Sequence, residues 1–566
     1  MRMKEKYLDL IGIAVSAYSD EHIARYTDEV RKNGVTEHGY PRLCANIGFL
    51  LAHGRCPGRK EMFAGMMELC CREMLISRDR TRNAGNDFSV KELVFCLEEI
   101  EKSGIYESCT TDHWREILSE IDPYRVYSCI AEKPPKRIGN WAAFSAVSEQ
   151  ARKSAGIGDV SGFIENQVLS QLFSFDENGM YRDPHEPMVY DFVTRLQLAL
   201  CLDCGYDGAG KAELEEFFEK SAVPTLLMQS VCGEIPYGGR SNQFLHNETF
   251  YAALCEFYAS RYFRAGRQEL AGMFRSAARL AVESLERWLC VRPIHHIKNR
   301  FPPDSKIGCE GYGYFDKYMV TMGSWACMAY RLADDRIPEV PCPAEKGGYV
   351  WQSSEHFHKL FLCAGGYTVQ ADTAADPHYD SCGIGRIHKA GAPAPLCLSV
   401  PFPTEPSYTV GMDNPAPFAI SCGVIRDGEQ HFASRTGTVY TITEQHGDDS
   451  HAYTRMRCTL TCGETADLSC RVSADGVILT ASAEGRAAVE LPVFVTDGER
   501  ETEITTSETS VAAAYRGWQV IYDTDGVLTD TGVLFGNRNG RYRRFTAEGD
   551  SCVTVTVRIV PDETGE

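Results

Sequence analysis

The sequence lacks long hydrophobic runs, low-complexity segments and an excess of positive charge. No stretch approaches the roughly 18 uncharged apolar residues of a membrane-spanning helix, so a span is not expected. Lysine and arginine number 58 against 78 aspartate and glutamate, a formal net charge of −20. This charge disfavours non-specific binding to nucleic acid or to an anionic membrane. An anionic ligand would therefore require a locally basic pocket.

Cysteine is abundant but shows no spacing typical of disulfides or zinc. The 23 cysteines are odd in number and are scattered through helical and strand-like segments. Cys201 and Cys204 form a CxxC pair, but no partner pair completes a zinc site. Asp9 interrupts the apolar run that follows the basic first residues, which argues against a signal peptide. We therefore expect reduced thiols and a cytoplasmic protein.

The hydrophobic period changes near residue 340, which predicts two domains. Before this point apolar residues recur every three to four positions, for example in 213–223, 248–262 and 273–289. After it the period is two. We predict about ten to twelve helices in 1–340 and about twelve to sixteen antiparallel strands in stacked sheets in 345–566. The fold class is therefore α+β and multidomain.

Several short segments of the second half have the composition of strands. They are 360–362, 396–400, 419–425 and 439–442. Asp475-Gly476 predicts a tight hairpin, and the alternation of valines from Val553 to Ile559 predicts a strand near the end.

The loop before the helix predicted near Asn247 carries the densest set of polar side chains. Its members are Arg240, Asn242, Gln243, His246 and Asn247. Arginine and carboxamides bind and partly neutralise a carboxylate, while imidazole accepts a proton near neutral pH. Chemistry beside a sugar acid requires these groups. The alternative is that they cap the helix and satisfy the loop backbone.

A second informative stretch runs from Lys298 to Tyr318. Arg300 is followed by Tyr312, Tyr314 and Tyr318, which lie among glycines and basic residues. Tyrosines offer a surface for sugar stacking and a phenol for proton transfer. Tyr314 and Tyr318 share one face if the helix has begun by residue 314. The alternative is that these tyrosines pack the last helix against the sheet domain.

Two other helix starts carry residues suited to a sugar. Asn140 and Trp141 open one helix, and Tyr190 lies near the start of another. A ring of helix ends could line one cleft, with Trp141 stacking on a pyranose. The alternative is that Asn140 caps its helix and that Trp141 packs in the apolar core.

In the β half, the polar and glycine-rich loop 376–388 places His378 and Asp380 two residues apart. In an extended chain both face one side, which suits a hydrogen-bonded pair or two ligands of one metal. Ordinary turn residues are the alternative.

This order of features resembles the heparinase II/III-like and alginate-lyase-like polysaccharide lyases. The resemblance rests on Asn140-Trp141, His246-Asn247, the tyrosines at 312–318 and His378-Tyr379-Asp380, and it covers about residues 130 to 400. It implies an incomplete (α/α) toroid followed by a β-sandwich. It also implies cleavage of uronic-acid-containing glycans by β-elimination in a cleft between the domains.

The resemblance also implies roles for individual residues. His246 would be a base or would neutralise the carboxylate with Asn247, Tyr314 or Tyr312 would be base and acid, and His378 a second base. Substrate would contact Arg240, Asn242, Gln243, Asn140, Trp141, Tyr190, Arg300 and Tyr318. The lyases often show His-x-His-x-Asp in the sheet domain, whereas Asp376 stands here at the first position. A structural zinc or calcium held by His378 and Asp380 is therefore a weaker expectation, and no cofactor is required.

The expected partner is an acidic oligosaccharide, with no nucleic acid and no membrane, while a homo-oligomer stays open. For a cytoplasmic enzyme we expect exolytic action on short oligosaccharides, such as those with a rhamnose-glucuronate linkage. The alternative is an (α/α) glycoside hydrolase that uses two carboxylates, drawn from Asp191, Glu234, Glu248 and Glu310. A glycan-binding protein without catalysis is the third hypothesis.

Overall fold

The computed structural model describes residues 2–76, 85–127, 139–290, 292–412, 416–435 and 437–563. These residues form fifteen α-helices and seventeen β-strands, more of each than the sequence predicted. All helices precede the first strand. The last long helix ends at Leu332 and the first strand begins at Tyr349, while the domain limits 1–340 and 345–566 stay predictions.

The helices of the first half are joined by loops of very different lengths. Their bounds are α1 (Met3–Ser16), α2 (Asp20–Asn33), α3 (Gly39–Ala52), α4 (Lys60–Met74), α5 (Gly85–Ser103), α6 (Ser108–Ser119), α7 (Pro123–Val126), α8 (Trp141–Ser154), α9 (Ser161–Leu172), α10 (Met188–Asp203), α11 (Lys211–Leu227), α12 (His246–Arg264), α13 (Gln268–Leu289), α14 (Phe315–Leu332) and α15 (Pro343–Lys346).

Six of these helices form an inner ring. In succession α3 contacts α5, α5 contacts α8, α8 contacts α10, α10 contacts α12 and α12 contacts α14, and α14 returns to α3. Helices α1, α4, α9 and α13 pack outside their partners. The inner helices are buried on nearly every side, as α12 shows, whereas α13 buries one stripe and exposes the other. The predicted (α/α) toroid is confirmed.

The second half contains three antiparallel sheets. The strands are β1 (Tyr349–Gln352), β2 (Lys359–Ala364), β3 (Tyr367–Asp372), β4 (Gly383–Lys389), β5 (Cys422–Arg426), β6 (Glu429–Phe432), β7 (Tyr440–Asp448), β8 (His451–Thr459), β9 (Thr465–Ser473), β10 (Gly476–Ala483), β11 (Arg486–Thr496), β12 (Glu503–Thr506), β13 (Ser510–Tyr515), β14 (Trp518–Thr524), β15 (Val527–Gly536), β16 (Arg541–Gly549) and β17 (Cys552–Pro561).

The sheets stack as predicted for a β-sandwich. Their strand orders are β1-β2-β3-β4, β12-β13-β14-β17-β10-β9-β8-β7 and β15-β16-β11-β5-β6. Strand β11 packs on β10 and β17, and β5 packs on β9, so the two larger sheets face each other. Strand β2 contacts β8 and β9, which adds the small sheet to the same stack. Alternating valines of β17 fill the core between them.

Two local predictions have opposite outcomes. The hairpin at Asp475-Gly476 is confirmed, because β9 and β10 pair with Ser473 opposite Gly476. The strand predicted at 396–400 is wrong, since Ala394–Cys397 form a short 3-10 helix. Pro393 and Pro395 stand before the predicted strand, at the start of the 3-10 helix, and Leu398 inside the predicted strand has a φ of 58°, in the left-handed region that a strand excludes.

Each half has its own apolar core, and polar residues dominate the contact between them. In the part of the chain that the structure describes, every cysteine is a free thiol and most are buried. No helix of the described ranges is long and apolar enough to cross a bilayer.

Candidate functional site

A cavity of about 430 Å³ opens at the inner ring of the toroid. Its walls come from the helical half alone, although the residues are far apart in sequence. They are His38, Arg42, Phe88, Asn140, Trp141, Phe144, Val189, Tyr190, Val193, Ser241, His246, Phe250, Tyr312, Lys317, Tyr318, Thr321 and Trp325. Inner helices and the loops before them supply this lining, so side chains at several helix mouths meet in one place.

A row of aromatic and imidazole rings crosses the cavity. Tyr318 stacks on His246, with ring centroids 4.8 Å apart, and meets His38 edge-on at 6.2 Å. Tyr312 lies 6.4 Å from Tyr318 by ring centroid. Two imidazoles and two phenols therefore share one wall, and this wall holds both proton acceptors and proton donors.

Burial shifts the pKa values of these rings in opposite directions. Burial, followed by the cation of Arg42, lowers the pKa of His246 and of His38 well below the usual value. Burial raises the pKa of Tyr312 and of Tyr318. At neutral pH the imidazoles are thus neutral acceptors, and the phenols keep their protons.

Arg42 adds positive charge beside this wall. Its Nε donates to Glu92 at 3.1 Å and its Nη1 to Thr321 at 2.9 Å. The ammonium of Lys91 donates to the same Glu92 oxygen at 3.0 Å. Among the described contacts, two buried cations thus share one buried carboxylate. The group keeps a net positive charge, which favours an anionic ligand in the cavity.

The loop 238–243 reaches the cavity through Ser241. Its hydroxyl lies 2.8 Å from the Tyr312 hydroxyl and 3.2 Å from that of Tyr190. Ser241 and Gln243 have φ values of 60° and 68°, in the left-handed region. Side chains disfavour this conformation, so the surroundings must hold the loop.

Contacts from the sheet domain and its neighbourhood hold that loop. The Gly239 amide donates to Asp380 at 3.0 Å, and the Ser241 amide donates to Glu310 at 2.6 Å. Asn539 donates its side-chain amide to Gln243 at 2.9 Å. The sheet domain thus positions the loop without contributing a lining residue in the described part of the chain.

The loop residues predicted to bind a carboxylate mostly bind the protein itself. Arg240 pairs with Asp183 and stacks over Tyr190. Asn242 donates to the Pro236 carbonyl at 3.3 Å, and Asn247 donates to the Ser241 carbonyl at 3.0 Å. The contacts of Arg240, Asn242 and Asn247 therefore agree with the alternative, in which these side chains satisfy the loop. His246, in contrast, lines the cavity.

Other predicted residues do meet in the cavity. Asn140, Trp141, Tyr190, Tyr312 and Tyr318 all line it. The Asn140 side chain makes no capping hydrogen bond, although the residue stands at the start of α8. Its amide is thereby available to the cavity instead of to the helix.

Three predicted positions lie elsewhere. Tyr314 is 48% exposed and precedes α14, so it shares no helical face with Tyr318 and is not in the cavity lining. His378 is 48% exposed by its side chain and lies 3.5 Å from Glu405. Arg300 lines a second cleft. The sequence order of the tyrosines could not show that the helix begins one residue after Tyr314.

His378 and Asp380, predicted as ligands of one metal ion, each have other partners in the structure. Asp380 is buried and lies 3.4 Å from the Lys359 ammonium, besides accepting from Gly239. Within the described ranges no group of three or more histidine, cysteine or acidic residues could hold a metal ion. The structure therefore gives Asp380 a structural contact, and the metal stays a prediction.

The four carboxylates considered for hydrolysis are all paired with cations. Asp191 accepts from Arg195 at 2.8 Å, and Glu310 accepts from Arg538 at 2.7 Å. Lys298 lies 2.6 Å from Glu248 and 3.2 Å from Glu234. None of these acids lines the cavity, and the described lining contains no aspartate or glutamate.

Several residues that line the cavity were not predicted from the sequence. They are His38, Arg42, Lys317, Thr321 and Trp325. His38 and Arg42 stand four residues apart at the start of α3, and Lys317 directly precedes Tyr318. Polar residues at a helix start are the signal that also marked His246, so the same criterion would have found His38 and Arg42.

Comparison with known proteins gives similarity in structure alone. No protein-family model matches the chain, and no curated protein matches it. The crystal structure of heparinase III is similar over 92% of this chain and 77% of that chain, with 8% identity and a TM-score of 0.48. Heparan sulfate lyase HepC from Pedobacter heparinus is similar over 93% and 76%, with 9% identity and a TM-score of 0.42. A chondroitinase AC lyase is similar over 98% and 83%, with 8% identity and a TM-score of 0.42.

Proposed function

We propose that the protein is a lyase that cleaves a uronic-acid-containing glycan by β-elimination in the toroid cavity. The supporting observation is the composition of the cavity wall: two imidazoles, three phenols, an arginine and a lysine, with no carboxylate among the described lining residues. The C5 proton of a uronate is weakly acidic. Its removal requires donors that stabilise the charge developing on the carboxylate, and a base beside the proton.

The positions suggest a role for each group. Arg42 and Asn140 bind the C5 carboxylate and stabilise the enolate-like state. Neutral His246 takes the C5 proton, the C5–H electrons form the C4=C5 double bond, and the C4–O bond breaks. Tyr312 donates its proton to the departing oxygen and regains one from the His246 imidazolium or from water. The shifted pKa values support this division, because a protonated phenol is the donor and a neutral imidazole the acceptor.

The size and aromatic content of the cavity support a short ligand. Its volume of about 430 Å³ lies within the ~300–1,000 Å³ of small-ligand pockets. Trp141 is half-buried at the wall and offers a face to a sugar ring. Exolytic action on short oligosaccharides is part of the proposal, and a rhamnose-glucuronate linkage belongs among the substrates to be tried.

Hydrolysis is less well supported by the same observations. A glycosidase requires two carboxyl groups that flank the bond, ~5–9.5 Å apart. The four acidic candidates are instead neutralised by Arg195, Lys298 and Arg538. These carboxylates lie outside the cavity lining and are held by buried cations, so none is placed to flank a bond in the cavity.

The test follows the ultraviolet absorbance of the C4=C5 uronate beside a reducing-end assay. The panel contains glucuronate, galacturonate, iduronate and mannuronate oligosaccharides, each with its carboxyl-reduced form as control. Absorbance that rises with new reducing ends, on the acidic forms alone, is the expected result. New reducing ends without absorbance would show hydrolysis, and binding without either signal would show a glycan-binding protein. Both outcomes overturn the proposal.

A further inference from the structure

A second cleft, of about 220 Å³, lies where the end of the helical half meets the sheets. The helical half supplies Glu234, Arg287, Trp288, Cys290 and Arg300, and the sheet domain supplies Tyr515, Arg516, Trp518 and part of 391–395. The two tryptophans of the cleft, Trp288 and Trp518, are both half-buried. The cleft is separate from the cavity and has no lining residue in common with it.

Arg300 is the unusual member of this cleft. It is only 7% exposed, its Nη2 donates to the Trp288 carbonyl at 3.1 Å, and its guanidinium lies 5.0 Å from the Trp288 ring centroid. Its Nη1 is buried and has no hydrogen-bond partner among the described residues. No carboxylate of the described ranges forms an ion pair with it, so a buried cation is left uncompensated. Such an arrangement is costly unless a ligand completes it.

The other charged groups of the cleft do not supply the missing anion. Arg516 is neutralised by Asp497 at 2.9 Å and by Glu499 at 3.0 Å. Glu234 reaches the cleft, but Lys298 lies 3.2 Å from its carboxylate.

Arg287 donates to the Cys232 carbonyl and adds a second positive charge. Burial and then the nearby Arg516 lower the pKa of Arg300, and the Asp497 carboxylate opposes this shift only in part.

We propose that this cleft is a second binding site, which takes the acidic end of a saccharide. A carboxylate or sulfate group would accept hydrogen bonds from Arg300 and from Arg287, and the adjoining sugar ring would stack on Trp518. Arginine provides several donors in a planar fork that fits such groups. The site requires no cleavage chemistry, so its existence does not depend on the proposed lyase activity.

The cleft and the cavity are joined by one stretch of chain. Glu234 lines the cleft, and Ser241, seven residues later, lines the cavity. The same stretch of chain therefore runs from the lining of the cleft into the loop 238–243, which carries Ser241.

The test is a calorimetric titration of the full chain with a hyaluronan tetrasaccharide at low and high salt. The protein carries Tyr312→Phe so that the probe is not consumed. We compare this background with added Arg300→Met, Trp518→Ala or, as the matched cavity change, Trp141→Ala. We expect Arg300→Met and Trp518→Ala each to weaken one binding event at least tenfold while the other event stays. A carboxyl-reduced tetrasaccharide is expected to lose both events.

Thermal unfolding separates a binding role from a structural one. If Arg300 serves a ligand, Arg300→Met keeps or raises the melting temperature of the free protein and abolishes part of the rise caused by the probe. A lowered melting temperature with unchanged binding would make Arg300 structural and overturn the inference. Loss of all binding in Trp141→Ala alone, or no binding in any variant, would also overturn it. The absorbance assay is independent, so binding at the cleft without elimination would refute only the lyase.

Discussion

The cavity of the toroid and the interface between the domains are both rich in charged side chains, but they treat charge differently. At the interface Lys298 lies between Glu234 and Glu248, and Arg538 meets Glu310. In the cavity wall, Arg42 shares its single described carboxylate with Lys91. Compensated charge stabilises the docking of the two halves, whereas uncompensated charge is available to a substrate. The predictions below test this difference.

The largest expected effect is on catalysis. Tyr312→Phe removes the proposed proton donor, and we expect kcat to fall by about 10²- to 10⁴-fold. The free energy of unfolding should fall by only about 1 kcal/mol, because the variant loses one hydrogen bond, to Ser241. The measurement is the rate of absorbance increase on the best oligosaccharide. Tyr314→Phe is the matched control, and equal losses in both variants would contradict the placement of the donor in the cavity.

The next effect is on stability. Lys298→Met leaves the buried Glu248 without its cation and leaves the buried Glu234 with Arg386 alone, at 3.8 Å. We expect a loss of roughly 3–5 kcal/mol in the free energy of unfolding, measured in urea. The double variant Lys298→Met/Glu248→Gln should recover part of this loss, because it removes one of the stranded charges. A loss below about 1 kcal/mol would mean that the interface charges are not compensated as described.

Arg42 tests the uncompensated charge directly. Arg42→Gln removes a charge-assisted contact to the substrate carboxylate, worth about 1.5–3 kcal/mol, so kcat/KM should fall by roughly 10- to 150-fold. The exposed Arg31, which pairs with Asp28, offers Arg31→Gln as a control that should leave kcat/KM unchanged. If both changes act alike, long-range charge and not a contact in the cavity explains the loss.

The pH profile follows from the lowered pKa of His246. The acidic limb of kcat/KM should lie below pH 6.5, the ordinary histidine value, because activity is lost only when pH falls through the folded pKa. In the same window the unfolded chain binds a proton that the native imidazole does not, so stability also falls as pH decreases from 6.5.

Arg42→Gln should move this limb toward higher pH, since the Arg42 cation contributes to the lowered pKa. A limb that stays in place in this variant would assign the titration to another group. A limb at or above pH 6.5 in the unchanged protein would contradict a buried neutral base.

The smallest expected effect concerns the sheet domain. His378 is half-exposed beside Glu405, so His378→Ala should leave stability within about 0.5 kcal/mol and activity nearly unchanged. Initial rates under the same assay measure this. A loss as large as that of Tyr312→Phe would place a second base in the sheet domain, as the resemblance implied.

The sequence allowed the architecture to be predicted because periodicity is a local property. Helices at 213–223 and 248–262, and the strand from Val553 to Ile559, were visible in the spacing of apolar residues. The strand predicted at 396–400 is absent, and Leu398 there adopts a left-handed φ of 58°. Composition alone suggested a strand, whereas this backbone conformation excludes one.

The site was predictable only in part, since it depends on contacts between distant segments. His246 and Tyr312 were candidates, and both line the cavity. The favoured Tyr314 lies outside it, because the first residue of a helix cannot be placed to within one position from the pattern. Arg42 stands near a helix start, so the criterion applied to His246 would have found it, but its place beside Tyr318 depends on the contact between α3 and α14, which the sequence does not show.

Every described residue of the cavity wall belongs to the helical half, yet the loop that carries Ser241 is fastened by Asp380 and Asn539 of the other half. A chain cut between the halves would keep the described side chains of the cavity wall. It would lose the hydrogen bonds with Asp380 and Asn539 that fix the loop carrying Ser241. The sheet domain thus holds the strained loop in place, and the geometry of the cavity wall depends on the docking of the two halves.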